Sequence, residues 1–415
     1  MPQAEDTSGV ANVSTARPDW PPAVIAGAFQ TGVLGVRTLK RRGVRVASFD
    51  ANPHQPGFRS AHGKALRCPN PDGESDEWLQ FMIDLARSMG ARPALILSSD
   101  QFVTAVANHA DRLAQHYLLS PGWRVQGLLA DKQSQYDLAS RQGMPMPRTE
   151  EIHTAAEIVR FSREVQYPCL LKPTHFRQWQ KFPAGHPLAS QKVAVANDRD
   201  QLIDYYRQAA TVNPHAILQE IITGPDTNKR VYLACYDANS RRIGHAMFRE
   251  LRCDPLGFGP ATISHPVTDP DTDRVCDEFL RRIGYVGICE IEMKWDDRDG
   301  RVKLIEANPR LSGGGDAAPY AGVDLCWLHY LDLIGQCVTP ISPRTGDFRH
   351  IVLRPEGRAL AAYWRAGLLT WRDLRFSWKR PLAFYDLDPQ DWRYSLETLC
   401  IAGKSFIVEA LRKRP

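Results

Sequence analysis

Glu292, Glu306, Asn308 and Arg310 are the residues whose types and spacing best suit chemistry. They fall in the stretch YVGICEIEMKWDDRDGRVKLIEANPRLSGGGD, residues 285–316. It reads as two strands, 288–295 and 302–307, joined by turn residues 296–300 that end in a glycine. Alternate side chains of a strand share a face, so Glu306 and Asn308 point the same way. In a hairpin over this turn, Glu292 comes to the level of Glu306. Two carboxylates and an amide are hard oxygen donors of the kind Mg²⁺ accepts, with water and phosphate filling its other positions. Arg310 adds a rigid cationic fork matched to phosphate or carboxylate. The competing reading is a solvated hairpin with ordinary surface charges. It suits Glu290 and Lys294. It suits Glu306, Asn308 and Arg310 poorly, because the strand before them is too apolar to lie on the surface.

The elements that must position these residues begin with the bulk of the chain. Its 415 residues suffice for two or three domains with cores. Hydrophobic content of 43% and charged content of 24% are those of a globular protein. A net charge of +5 suits an enzyme of anionic substrates and argues against nucleic acid as a partner. Nine scattered cysteines without a CxxC pair point to reduced thiols and a cytoplasmic setting. No apolar run reaches the ~18 residues that span a bilayer. Residues 1–20 read as a loose polar tail.

Residues 22–50 form a βαβ pattern, but Gly27, Gly32 and Gly35 do not make the GxGxxG of a dinucleotide site. Helix 74–89, strand 94–97 and helix 100–117 continue the alternation. Ser98-Ser99-Asp100 ends a strand where open α/β sheets place ligands, and Asp100 is equally suited to cap the next helix. A helix over 132–141 stops at Gly143. The apolar strand 168–173 ends in Lys172, and a lysine there implies an anion. Residues 174–190 read as a long functional loop offering His175, Arg177, Lys181 or a clamping Trp179. The strand 216–221 delivers Gln219 and Glu220 into the turn ITGPD. Two strands, 229–236 and 242–252, lead back toward the opening stretch. The last eighty residues read as a mainly helical extension.

Four motifs in order, DK followed by GMPMP, YPCLLKP, LQEIITGPD and IEMKW…LIEANPR, resemble those of the ATP-grasp superfamily over roughly residues 22–338. The resemblance implies an α/β (α+β overall) architecture. It has a tail (1–20), a Rossmann-like pre-ATP-grasp domain (21–127), a two-lobed ATP-binding domain (128–338, nucleotide lobe about 150–220) and a C-terminal helical lobe (339–415). It implies ATP and Mg²⁺ as cofactors, two ions, with Mn²⁺ as an acceptable substitute. Lys132 and Lys172 would meet phosphate, Gln219 and Glu220 the base, Ile222 the adenine edge by its backbone, and Asp226 the ribose. Glu292, Glu306 and Asn308 would hold the metal.

Within the superfamily the chain is similar to D-aspartate ligase-like carboxylate–amine ligases, on GAFQTGVLGVRTLKRRGV, FRELRCDPLGFG and NPRLSGGGD. That likeness implies amide or peptide bond formation through an acyl phosphate from small carboxylate and amine substrates. Arg310 and Arg252, with Arg249 as a further candidate, would steady the carboxylate or the phosphoryl group. Gly314, within Gly313–Gly315, would offer a backbone N–H to the acyl phosphate, and Asp316 would cap the following turn or receive the amine. The phosphate-covering loop departs from the family's Gly/Ser-rich pattern, which leaves its contacts open. Another acceptor, bicarbonate or a thiol, and a nucleotide-binding protein without catalysis are the alternatives. A homodimer is compatible with the chain; neither substrate is fixed.

Overall fold

The structure is a computed structural model that describes residues 20–174, 178–183, 185–189, 191, 193–344 and 346–411. The expected tail, apart from Trp20, lies outside the described residues, as do His175, Arg177 and residues 412–414.

The chain opens with β1 (Ala23–Ala26), α1 (Gln30–Lys40), β2 (Val46–Asp50), β3 (Leu66–Arg67), α2 (Ser75–Ser88), β4 (Ala94–Leu97) and α3 (Asp100–Leu113). The four strands form a parallel sheet in the order β3-β2-β1-β4. β1 and β4 are apolar and buried on both faces, as strands covered by helices must be.

Two helices lead onward, α4 (Trp123–Ala130) and α5 (Lys132–Arg141). The Asp131 side chain accepts from Ser134 N at 2.9 Å, which starts α5 and fixes Lys132 in its first turn.

A small lobe follows: β5 (Thr149–Ile152), α6 (Ala155–Phe161), β6 (Cys169–Pro173), β7 (Ala194–Ala196), α7 (Arg199–Ala210) and β8 (Ala216–Glu220). Its antiparallel sheet has the order β5-β8-β6-β7. Trp179 is 3% exposed within this lobe's apolar core, so the expected substrate clamp is corrected to a core side chain.

The third sheet is the largest. Its first strands are β9 (Lys229–Tyr236), β10 (Arg242–Cys253) and β11 (Ala261–Pro266). After α8 (Pro270–Arg282) come β12 (Gly287–Asp296) and β13 (Arg301–Asn308). Gly300, at φ +65°, closes the turn of that last hairpin, an angle that favours glycine. A 3₁₀ turn, Gly313–Asp316, and α9 (Leu325–Leu333) follow.

The remaining elements are β14 (Arg349–Ile351), α10 (Leu353–Arg365), α11 (Trp371–Ser377), β15 (Leu382–Phe384) and α12 (Trp392–Leu411). The sheet order is β13-β12-β9-β10-β11-β14-β15. The C-terminal segment is therefore not an appended helical lobe. It supplies two edge strands to the central sheet, too short to show an alternating pattern in sequence.

One face of this sheet packs Ile291, Met293 and Tyr232 against Phe279 and Leu280 of α8. The other face packs Leu233 and Phe248 against α9 and, through Leu311, the first sheet. Toward the small lobe, that second face turns polar.

Candidate active site

Strand pairing sets the site. Glu292 stands opposite Glu306 on β13 and Val231 on β9, while Glu290 stands opposite Asn308 and Leu233. Paired residues share a face, so two acids of β12 lie beside the acid and amide of β13. Glu290 and Lys294 are 7% and 9% exposed, which corrects their expected place on the surface. Glu290 accepts from Asn308 Nδ2 at 3.2 Å and from Ser312 Oγ at 2.7 Å. Burial, with repulsion from Glu290, Glu306 and Glu250, pushes the Glu292 carboxyl well above its ordinary range. Burial raises Glu290 as well, against the hydrogen bonds from Ser312 and Asn308.

The two expected lysines converge on this face. Lys132 Nζ lies 3.8 Å from Glu306 Oε2, and that carboxylate raises the lysine despite its burial. Lys172 donates to Gln219 Oε1 at 2.5 Å and reaches the Tyr136 hydroxyl at 3.4 Å. Tyr136 lies one helical turn beyond Lys132 and donates to Ile305 O at 3.3 Å, tying Lys172 to β13.

The expected nucleotide residues separate. Gln219 is 3% exposed; it accepts from Lys172 and donates to Thr149, so its side chain holds the lysine in place. Glu220 is half-buried, 3.9 Å from Arg298. Ile222 leaves the strand, and no described residue hydrogen-bonds its N–H or C=O. Asp226 is corrected: its Oδ2 accepts from Gly257 N at 3.1 Å and from the Tyr363 hydroxyl, and its Oδ1 faces Lys229 at 3.3 Å. Its oxygens are engaged within the protein, joining the turn after β8 to α10.

The arginines separate too. Arg310 is gripped by Asp100 through Nε at 2.5 Å and Nη2 at 2.9 Å, and Nη2 also reaches Asn308 Oδ1 at 3.2 Å. No described residue hydrogen-bonds its Nη1. Asp100 thus orients the arginine from the first turn of α3. Arg252 is 1% exposed and donates to Glu356 (2.6 Å) and Ser377 (2.7 Å). It is a structural charge with no group left for a substrate. Arg249 pairs with Arg230, which pairs with Met293, so it points to the face opposite the acids. Its Nε donates to Thr227 O at 2.7 Å. Both expectations are corrected. Gly314 belongs with the acids, since a Cβ there would come within 3.0 Å of Glu290 Oε2. Asp316 caps no helix; it pairs with Arg37 of α1 at 2.7 Å.

Glu290, Tyr136 and Ser312 were missed in the sequence, as was Glu250, which is 2% exposed and 3.4 Å from Lys229. The i, i+4 spacing of Lys132 and Tyr136 was the available signal for one of them; Glu290 shares the alternation of Glu292.

This donor set fits a divalent cation. Glu292, Glu306 and Asn308 present hard oxygens on one face, and the mutual repulsion of the acids is what a cation would relieve. Among the described residues no three His, Cys, Asp or Glu side chains suffice to hold a metal ion. A cation here depends on the amide and on non-protein oxygens, which is the habit of Mg²⁺.

No family model matches the chain. Over 225 residues it is 23% identical to the D-aspartate ligase of Enterococcus faecium (strain Aus0004), covering 52% of this chain and 52% of that protein. It is 24% identical over 377 residues to the carbamoyl phosphate synthase large chain of Clavibacter michiganensis subsp. michiganensis, covering 83% of this chain and 31% of that one. The chain thus spans about half or less of the length of these curated relatives. Among solved structures, N5-carboxyaminoimidazole synthetase from Staphylococcus aureus complexed with ADP matches with a TM-score of 0.61 at 14% identity, over 79% of this chain and 81% of that one. The biotin carboxylase domain of Hydrogenobacter thermophilus 2-oxoglutarate carboxylase matches with a TM-score of 0.59 at 16% identity, over 77% and 71%. The fold, the order of the four motifs and these relatives together make the chain a member of the ATP-grasp superfamily.

Proposed function

We propose that the chain is an ATP-dependent carboxylate–amine ligase that forms an amide or peptide bond and releases ADP and phosphate. The observation that carries this reading is convergence. Lys132 from α5 and Lys172 from β6 meet at the hairpin that pairs Glu292 with Glu306.

Glu292, Glu306 and Asn308 would hold Mg²⁺, which when bound supplies charge neutralisation between the β- and γ-phosphates. Lys132 and Lys172 bind phosphate oxygens as point charges, with Gln219 and Tyr136 holding Lys172 in register. The free backbone groups of Ile222 take the adenine edge. The Nη1 group of Arg310, its fork fixed by Asp100, steadies the substrate carboxylate as its oxygen attacks the γ-phosphorus. ADP leaves and an acyl phosphate remains. The amine nitrogen then attacks the acyl carbon, the bond to phosphate oxygen breaks, and the ammonium proton passes to solvent. Such chemistry needs placement and charge, and no protein nucleophile.

The test is ADP release over pairs of carboxylates and amines, with hydroxylamine as a trap. Carboxylate-dependent ADP release that accumulates hydroxamate is expected. ADP release that ignores the carboxylate would sink the proposal. A second reading has bicarbonate as the activated acid, favoured by the carbamoyl phosphate synthase relative that aligns with 83% of the chain. Bicarbonate-dependent ADP release without any organic acid would select it.

A further inference from the structure

A separate cleft of about 320 Å³ lies between α1 and the segment after β15, with Gln30, Arg37, His62, Tyr385, Asp388 and Tyr394 in its walls. Most of its charges are answered. Arg37 donates to Asp316 at 2.7 Å and to Asp388 at 3.2 Å, and His62 Nε2 lies 2.7 Å from Asp388. Four polar atoms are not. Asp316 Oδ2, His350 Nε2, Arg354 Nη2 and the Tyr385 hydroxyl are buried without a hydrogen bond. Twelve such atoms occur among the described residues, so a third of them gather around one cleft. Asp316, His350 and Tyr385 are 4%, 4% and 7% exposed. Native interiors seldom leave such groups unpaired, so each calls for a partner.

Their chemistry names the partner. Asp316 Oδ2 and His350 Nε2 stand 3.9 Å apart, too far to bond each other and close enough to share a third group. The Tyr385 ring lies 6.0 Å from that of His350. An ammonium carries three donors and no acceptor, which suits three atoms able to accept. Arg354 is a donor only. Its guanidinium lies over the Tyr394 ring at 4.7 Å, and Glu397 stands 3.9 Å from its Nη2, beyond hydrogen-bond reach. That group calls for an anion. Val33 and Leu34 add apolar wall.

We propose that this cleft binds an α-amino acid as its zwitterion, ammonium toward Asp316, His350 and Tyr385 and carboxylate toward Arg354, as the amine substrate. The 3₁₀ turn links it to the acid cluster: Gly314 packs on Glu290, and Asp316 faces the cleft two residues later. At roughly 2 Å of rise per residue, the two are separated by about 4 Å along the turn. Only the fate of the bound amino acid rests on the ligase reading; the binding does not.

The test is calorimetric titration of the full chain, without nucleotide, with the L- and D-forms of the twenty common amino acids. At least one should bind, and its deaminated and decarboxylated counterparts should bind at least about tenfold more weakly. Asp316→Asn strips Arg37 of its partner and risks the fold. Tyr385→Phe removes one unpartnered hydroxyl, and it should keep the melting temperature while weakening binding about tenfold. If no amino acid binds the wild-type chain, the cleft holds water alone and the proposal is overturned. Binding abolished by Glu306→Gln yet untouched by Tyr385→Phe would place the amino acid at the acid cluster and also overturn it. A chain that binds an amino acid here but releases no ADP with any acid and amine would refute the ligase reading and leave this one standing.

Discussion

On β10 and β11, Arg252 is answered charge for charge. Glu356 accepts two of its N–H groups and Ser377 takes a third, and Thr262 donates to the other oxygen of Glu356 at 2.7 Å. Three strands away, on β12 and β13, Glu290, Glu292 and Glu306 crowd together. Their nearest cations, Lys132 and Arg310, come from the edge, and Arg310 is already shared with Asp100. Both clusters are buried in the same molecule. The first is complete without anything added, and its task is to hold α10 and α11 on the sheet. The second is short of positive charge, and a protein keeps such an arrangement only where a ligand finishes it. Matched charges mark structure here, and mismatched ones mark function.

The sharpest way to break that contrast is Arg252→Ala. It strands Glu356 without a partner, and the loss of stability should be about 3–5 kcal/mol by chemical denaturation. A loss under about 1 kcal/mol would mean the pair is not structural. Next in size is Glu306→Gln. Carboxylate-dependent ADP release should fall at least about 10²-fold, while the melting temperature holds or rises because repulsion among the acids is relieved. A variant that unfolds would move Glu306 into the structural class.

Glu250 lies between the clusters. Burial, only partly offset by Lys229, pushes its carboxyl up to about 7. An acid raised by folding keeps its proton in the native state after the unfolded chain has released it. Its stabilising share is therefore complete below the ordinary value of 4.5 and is lost as pH climbs toward about 7. Across that window the wild-type chain should lose on the order of 2 kcal/mol relative to Glu250→Gln. Parallel stability–pH curves would remove Glu250 from the argument. Smallest is Ser312→Ala, which deletes one hydrogen bond to Glu290. It should cost about 1 kcal/mol, or roughly fivefold in kcat/KM, read from steady-state ADP release.

The hairpin was legible because everything needed to see it is local: alternation on two strands, a turn between them, and a glycine whose positive φ closes it. Lys132 and Lys172 were legible for a similar reason, one in a helix's first turn and one ending an apolar strand. Glu290 was misread because alternation tells which face a residue takes and not what covers that face. The roles given to Arg252 and Asp226 failed on partners far along the chain. Glu356 lies 104 residues from Arg252, and Tyr363 lies 137 from Asp226. The three-residue strands β14 and β15 join a sheet whose other members end some eighty residues earlier, and no periodicity fits in three residues.

The bond from the Tyr363 hydroxyl to Asp226 works like a rein. Asp226 sits two residues past Gly224, a glycine at φ +104° in the turn that leaves the small lobe. A lobe that swings about this turn must drag α10 with it or let the bond go. Because α10 follows directly from the edge strand carrying His350, tension at the turn reaches the amino-acid cleft along a single short run of backbone. The opening of one pocket and the grip of the other are thereby joined through the last seventy residues of the chain.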